Sequence, residues 1–164
     1  MNYYDEIATG YEELHKEEQE KKIEIIKQSL KPKPDEKLLD VGCGSGLTTR
    51  PWNCKRFGID PSEKILQKAR DKDKQGIYIK APAENLPFKN NEFDIVISIT
   101  AIQNFDSIEK GLSEIKRVAK DKIIISALKK SPKINNIKDL IKANFKISKE
   151  IEEDKDIIFL LKKQ

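Results

Sequence analysis

The sequence predicts an α/β fold, in which helices cover both faces of a doubly wound, mostly parallel sheet. Short runs rich in Ile, Val, Leu and Phe indicate buried strands at 37–42, 56–60, 76–80, 93–100 and 122–128. Segments of helical character lie between these runs, and strand followed by helix predicts parallel strands with right-handed crossovers. The tail differs, because the apolar runs 145–151 and 156–162 are so close in sequence that they predict an antiparallel hairpin.

The predicted helices begin and end at recognisable signals. Apolar residues recur at helical spacing from about Tyr11 to Leu30, and the sequence KPKP at 31–34 ends this amphipathic helix. Three further helices are predicted over Pro61–Asp71 with Ser62 as N-cap, over Asp106–Val118 and over Ile134–Ala143. The segment 47–53 leaves room for barely two turns of helix and contains Pro51, so a regular helix is not expected there.

Length and composition favour one soluble domain. The 164 residues suffice for a single domain, 1–164, with an N-terminal cap helix and linker at 1–34 and a sheet core at 35–164. Charged residues make up 37% of the chain and no run of 18 apolar residues occurs, which argues against a membrane protein. The charged N-terminus does not fit a signal peptide, so we expect a cytoplasmic location. The formal net charge of +4 permits an anionic partner without requiring one.

The two cysteines give no sign of a metal site. Cys43 and Cys54 lack the spacing to His or further Cys that zinc sites and disulfide frameworks have. We therefore expect reduced thiols and no bound metal.

The most specific signal is the sequence LLDVGCGSG at 38–46, where an apolar strand runs into three alternating glycines and the start of a helix. At the carboxyl end of a strand, Gly42, Gly44 and Gly46 would provide both a tight turn and a bare backbone that a ligand can approach. Asp40 at the strand end suits a cationic ligand or an ammonium group better than a pyrophosphate. Leu47 stands where a dinucleotide fingerprint needs a third glycine, so the match to that motif is imperfect.

These residues resemble the first motif of class I S-adenosylmethionine-dependent methyltransferases, and later segments continue the resemblance in order. It implies S-adenosyl-L-methionine as cofactor and a Rossmann-like sheet of seven strands in the order 3-2-1-4-5-7-6, the last strand antiparallel. In GIDPS it places Asp60 at the end of the second strand, where an acid of the family binds both ribose hydroxyls. A role as a helix N-terminal acid is the alternative for Asp60. The residues that the resemblance assigns to the cofactor are Tyr11, Asp40, Gly42, Cys43, Gly44, Gly46, Leu47, Asp60, Pro61, Ala83, Glu84, Ser98 and Ile99.

The segment 81–105 is similar to the part of the family that borders the adenine and the reacting methyl group. Pro82 stands where the family often has an Asp that contacts the adenine amino group, although the backbone of Ala83 remains available. Gln103 and Asn104 fall on the substrate face, where many members that act on small molecules carry a His pair. Their amides orient polar groups but are weak bases, and a capping or loop role is the alternative for Asn104.

The leading segment resembles the N-terminal helix of the family, which often lays an aromatic ring over the cofactor. Tyr11 is the first candidate for that ring, and Tyr4 is assigned to the substrate face, with His15 and Gln19 behind them. Amphipathicity alone would predict only a covering helix, and a solvated position is the alternative for His15.

The acceptor is predicted less sharply than the donor. ISITAIQNF at 97–105 is faintly similar to its counterpart in the guanine methyltransferases of small-subunit ribosomal RNA, which work with a small zinc-binding activator protein. The expected acceptor is therefore RNA or a translation-related protein, with small-molecule methylation as the alternative. An activator would add a strand to an exposed edge formed by 76–80. Two other classes stay open: a nicotinamide-dependent oxidoreductase, and a cofactor-binding subunit without catalysis.

Overall fold

The structure is a computed structural model that describes the backbone of residues 3–163 and the side chains from residue 13 onward. The chain divides into two compact units, residues 1–31 and 32–164, which are described separately. The first unit is the helix α1, Tyr3–Lys27, with exposed ion pairs on its surface such as Lys16–Glu20. It begins eight residues before the predicted start and ends three before the predicted end, because a turn at 28–30 precedes the prolines. No helix among residues 3–163 is long and apolar enough to span a membrane.

The second unit contains a seven-stranded sheet with the predicted order β3-β2-β1-β4-β5-β7-β6. Its strands are β1 Lys37–Val41, β2 Lys55–Asp60, β3 Ile77–Lys80, β4 Phe93–Ile99, β5 Ala119–Leu128, β6 Lys146–Glu152 and β7 Asp156–Lys162. Strands β1 to β5 are parallel, and β7 is antiparallel to both β5 and β6, which confirms the predicted tail hairpin. The strand order reverses between β1 and β4, and open sheets of this kind bind ligands in the crevice beyond that point.

Three helices of the second unit confirm the predicted ones to within two residues at each end. They are α2 Glu63–Lys72, α3 Ile108–Val118 and α4 Ile134–Asn144. Ser62 is the predicted N-cap of α2, since its Oγ accepts a hydrogen bond from the backbone N–H of Ile65 at 3.4 Å. Ser107 caps α3 in the same way, with the N–H of Lys110 at 3.2 Å, which explains why α3 begins after Asp106.

No helix follows β1, so the predicted start of a helix after the glycines is wrong. Residues 44–51 form successive turns, in which the carbonyl of Gly46 accepts the N–H groups of Thr49 and Arg50. Pro51 lacks the backbone donor that would extend a helix, and β2 begins only four residues later. The expectation that residues 47–53 form no regular helix is confirmed.

Apolar side chains on both faces of the sheet form the core. Leu39 of β1, Val96 of β4 and Ile125 of β5 are fully buried and belong to one continuous cluster. Phe93 of this cluster and the partly buried Phe57 pack edge to face, with ring centroids 5.3 Å apart. Burial on both faces explains the nearly unbroken apolar runs, because these central strands have no solvent side.

Candidate functional site

The glycine loop lies at the carboxyl edge of the sheet, at the reversal of strand order. The backbone N–H groups of Gly42 and Cys43 both donate to the carbonyl of Ile59, at 2.8 and 2.9 Å, and tie the loop to β2. Gly42 has φ +79°, and a Cβ built on it would lie 2.6 Å from Cβ of Ala101 in the turn after β4. Only glycine therefore fits where β1, β2 and the end of β4 converge.

Asp40 lies beneath this loop as a fully buried carboxylate. Its Oδ2 accepts hydrogen bonds from the hydroxyls of Thr48 and Thr49, at 2.6 and 2.7 Å, and these bonds hold the turns that replace a helix. Its Oδ1 is buried and has no hydrogen-bond partner among the described residues. Burial raises the pKa of Asp40 to about 6, with a smaller increase from the charge of Asp60, while the two hydroxyls lower it.

Asp60 ends β2 directly beside the loop. Its Oδ2 accepts the N–H of Gly44 at 3.1 Å, and its Oδ1 accepts the N–H of Ser62 at 2.9 Å. The side chain is partly exposed, and each carboxylate oxygen keeps a further lone pair for a ligand. The carboxylate thus braces the entry to α2 and keeps free lone pairs, so the two roles considered for Asp60 are compatible, and its binding of a ribose stays a prediction.

A pocket opens between the glycine loop and the turns after β3 and β4. It brings together five of the residues predicted from the sequence: Gly42, Pro61, Ala83, Glu84 and Asn104. It is also lined by four residues that were not assigned to the cofactor, namely Ile59, Pro82, Phe105 and Asp106. The connections after four neighbouring parallel strands, β3, β2, β1 and β4, therefore meet at one site.

The loop after β3 forms one wall of the pocket, and hydrogen bonds with α3 and its N-cap residue hold this loop in position. Glu84 accepts the N–H of Ser107 at 3.2 Å, and Glu114 accepts the N–H of Leu86 at 2.9 Å. Arg117 donates to the carbonyls of Leu86 and Phe88, at 3.0 and 2.8 Å, and to the carboxylate of Glu114. These bonds hold the side chain of Glu84 and the backbone of Leu86 and Phe88, and so support the segment that follows Ala83 in the pocket wall.

Some predicted cofactor residues lie beneath the surface of the site. Ser98 is fully buried, and its Oγ donates to the carbonyl of Val41 at 2.8 Å, which joins β4 to β1. Cys43 is buried against Leu66 and Tyr78, and burial raises the pKa of its thiol above the ordinary value. The structure therefore gives the side chains of Ser98 and Cys43 structural contacts. Their assignment to the cofactor stays a prediction, as does that of Ile99, which is buried, and of Leu47, which is partly exposed.

The predicted substrate face lies at the turn after β4. Gln103 donates through Nε2 to the carbonyl of Thr100 at 2.8 Å, and its Oε1 is buried without a hydrogen-bond partner among the described residues. Asn104 is exposed at the end of a short 3₁₀ turn, Ile102–Asn104. Tyr4 and Tyr11 belong to α1, but their side chains lie outside the described residues, and His15 and Gln19 belong to the other unit.

Three lysines lie in the connection that follows β5, at the carboxyl edge of the sheet where the substrate face also lies. Lys133 donates through Nζ to the carbonyl of Gln103 at 3.2 Å, which places its ammonium group beside the substrate face. Lys129 and Lys130 precede it in the same connection, and Lys130 and Lys133 are exposed. These lysines were not predicted as site residues, because the sequence does not show that the connection after β5 returns to the turn after β4. The described residues contain no group of three or more His, Cys, Asp or Glu that could hold a metal ion.

Comparisons with known proteins find a matching family model and relatives of this chain. The family model described as "Methyltransferase domain" matches residues 39–125, which is more than half of the chain. An uncharacterized protein of Methanocaldococcus jannaschii, MJ1252, is 34% identical over 88% of this chain and 57% of its own length. The ubiquinone/menaquinone biosynthesis C-methyltransferase UbiE of Campylobacter jejuni is 36% identical over 59% of this chain and 46% of its own length. The chain thus spans about half the length of these two relatives.

Solved structures share the fold. The magnesium protoporphyrin IX methyltransferase of Synechocystis, solved with bound S-adenosylmethionine, has a TM-score of 0.74 at 18% identity and covers 92% of this chain and 80% of its own. A putative methyltransferase from Haloferax volcanii, solved in complex with the Trm112 methyltransferase activator, has a TM-score of 0.69 at 15% identity. That alignment covers 82% of this chain and 85% of the other.

Proposed function

This chain belongs to the methyltransferase domain family, the class I S-adenosylmethionine-dependent methyltransferases, and we propose that it transfers a methyl group from S-adenosylmethionine bound across its glycine loop. One observation carries the proposal. Gly42 and Ala83 line one pocket at the reversal of strand order, and Asp60, which binds the N–H of Gly44, stands between the lining residues Ile59 and Pro61.

The residues of the crevice match the chemistry of this cofactor. Asp60 offers two oxygens to a vicinal diol, and the pocket wall of Ile59, Ala83 and Phe105 suits a flat ring. The buried Oδ1 of Asp40 supplies negative charge below the loop, where it favours a cation above. A pyrophosphate would be repelled by the same two carboxylates, which favours an adenosyl sulfonium over a dinucleotide.

The protein contributes positioning. The cofactor, when bound, supplies a methyl group activated by the positive charge of its sulfonium. Alignment of an acceptor with that methyl group contributes on the order of 7 kcal/mol without an acid or base. Gln103 and Asn104 on the substrate face are suited to orienting the acceptor by hydrogen bonds, since their amides do not titrate.

The first candidate acceptor is a small molecule or a carrier-bound group. The printed functions of the relatives support it: UbiE is a C-methyltransferase of quinone biosynthesis, and other relatives are malonyl-[acyl-carrier protein] O-methyltransferases. The exposed Lys130 and Lys133 beside the substrate face would then bind an anionic part of that molecule.

The second candidate is RNA or a translation-related protein. The same lysines favour a polyanion, and the Haloferax neighbour that was solved with an activator protein suggests a partner for this chain. Strand β3 is one of the two edge strands of the sheet, and its Ile77 is 50% exposed, so a small zinc-binding activator would add a strand there.

Methyl-labelled S-adenosylmethionine tests these proposals when it is incubated with the protein and an extract of the source cells. Label in the small-molecule fraction supports the first acceptor, and label that nuclease removes supports RNA. Protease-sensitive label supports the first acceptor where thioester cleavage releases it from a carrier, and the second where it stays on the protein. An Asp60→Ala variant is the control and should leave every fraction unlabelled. Cofactor binding without any labelled product would instead indicate a non-catalytic subunit, and binding of NAD alone would indicate an oxidoreductase.

A further inference from the structure

Thr100, the first residue after β4, has an unusual backbone conformation. Its φ is +52°, in the left-handed region, which β-branched side chains rarely adopt. Such a conformation costs free energy and persists only where the surrounding structure holds it. The position is notable because the substrate face and one wall of the pocket follow directly in the chain.

Ser126 on the adjacent strand β5 and Asp156 on β7 hold Thr100 in place. Its N–H is shared between Oγ and the carbonyl of Ser126 on β5, at 2.9 and 3.2 Å, and its Oγ1 donates to Oδ2 of Asp156 at 2.6 Å. The hydroxyl of Ser126 donates to the same carboxylate oxygen at 2.7 Å. Ser126 and Asp156 are both fully buried, so the arrangement is rigid. We call Thr100, Ser126 and Asp156 the turn clamp.

The turn clamp sets the direction of the backbone after Thr100, and with it the position of residues 101–106. Ala101 follows Thr100 and packs against Gly42, where a Cβ would be 2.6 Å away. The carbonyl of Thr100 accepts the amide of Gln103 at 2.8 Å, and residues 104–106 then line the pocket. If Thr100 relaxed to an ordinary φ, Ala101 would move relative to Gly42, and the wall at 104–106 would move with it.

We propose that Asp156 is a positioning residue of the cofactor site, which acts through Ser126 and Thr100 to hold the wall at 101–106 against the glycine loop. The inference rests on the proposed function, because it takes the pocket to be the cofactor site. Neither Asp156 nor Ser126 lines that pocket, so both act through Thr100. Asp156 begins β7, and the tail hairpin thereby contributes to a site that lies two strands away.

The test is calorimetric titration of S-adenosylhomocysteine into the full chain and its variants, with folding checked by circular dichroism and urea unfolding. Asp156→Asn should weaken binding about tenfold. Without the full clamp, a smaller fraction of the protein molecules has the wall at 101–106 in the conformation that binds the ligand. Thr100→Gly makes the left-handed conformation accessible without the clamp, and in that background Asp156→Asn should cost less than about twofold. Thr100→Ser keeps the hydroxyl and should bind within about threefold of the wild type.

The matched control is Asn91→Gly. Among the residues that the structure describes, Asn91 is the other non-glycine residue with positive φ, and it lies in the turn before β4, at the opposite end of that strand from Thr100. It should leave binding unchanged. If Asp156→Asn does not fold, Ser126→Ala replaces it with the same expectation. Equal losses from Asp156→Asn in the wild-type and Thr100→Gly backgrounds, or no loss in either, would overturn the proposal. A wild type that does not bind S-adenosylhomocysteine would refute the proposed function itself, which is a distinct result.

Discussion

Replacing Asp40 by Asn should change the pH dependence of stability in a defined direction. The folded protein buries this carboxylate completely, and its pKa is about 6 against an ordinary 3.8. Because the folded state holds the proton more tightly than the unfolded chain, the wild type loses stability as pH rises from about 4 through about 6. Asn carries no titrating proton, so the variant lacks this loss.

The magnitude follows from the two pKa values. Between pH 5 and pH 8, the free energy of unfolding of Asp40→Asn should increase relative to that of the wild type by about 1.4 kcal/mol. Any change in the hydrogen bonds from Thr48 and Thr49 adds an offset that does not vary with pH. The slope therefore isolates the charge of Asp40.

Urea unfolding of both proteins from pH 5 to pH 8 measures this difference. Asp71→Asn, which removes an exposed carboxylate on α2, is the matched control and should show no such trend, because its charge stays in water on folding. A difference between wild type and Asp40→Asn that stays constant or shrinks with rising pH would refute the reasoning. The same variant should bind S-adenosylmethionine about tenfold more weakly at pH 8, because the negative charge below the loop no longer attracts its sulfonium and ammonium groups.

Three further substitutions separate the site from the scaffold. Gly42→Ala should reduce S-adenosylhomocysteine affinity at least about tenfold in calorimetry, because the new Cβ meets Ala101 at 2.6 Å; unchanged affinity would contradict the convergence described at this loop. Asp60→Asn, which keeps the shape but removes the charge, should weaken binding by about 1.5–3 kcal/mol with little change in the urea midpoint, and equal binding would show that Asp60 only braces α2. Asp73→Asn should lower the free energy of unfolding at pH 7 by about 2 kcal/mol, since burial alone would raise the pKa of Asp73 but Arg56 and Tyr78 together lower it to about 2. This contribution is lost as pH falls from about 4 through 2. That variant should bind S-adenosylhomocysteine normally, and a loss of binding would mean that the Asp73 network reaches the site.

The fold was predictable because central parallel strands are buried on both faces. Their apolar runs stand out, and the short link before β7 is too short for a crossover. The resemblance supplied the strand order, which the runs alone do not contain. The segment after the glycines was less predictable, because Thr48 and Thr49 form turns there by binding Asp40, eight and nine residues earlier. No local propensity reports that contact.

Some features of the candidate site could likewise be predicted from the sequence, and others depend on contacts between distant residues. The ends of consecutive parallel strands lie at one edge, so the proximity of Gly42–Gly46 and Asp60 could be inferred from spacing. The turn clamp could not, because Thr100 and Asp156 are 56 residues apart and the left-handed φ has no signature in a Thr. Ser98 shows what a resemblance does not provide. The resemblance locates this residue on a strand, but it does not show that the hydroxyl binds the carbonyl of Val41.

Equilibrium titration of the unmodified protein with S-adenosylhomocysteine and, separately, with NAD tests the central claim most directly. The arrangement of three glycines above Asp40, with Asp60 on the neighbouring strand, predicts one S-adenosylhomocysteine per chain, loss of that binding in Asp60→Ala and no heat from NAD. Binding of NAD with none of S-adenosylhomocysteine, or S-adenosylhomocysteine binding that survives Asp60→Ala unchanged, would contradict it.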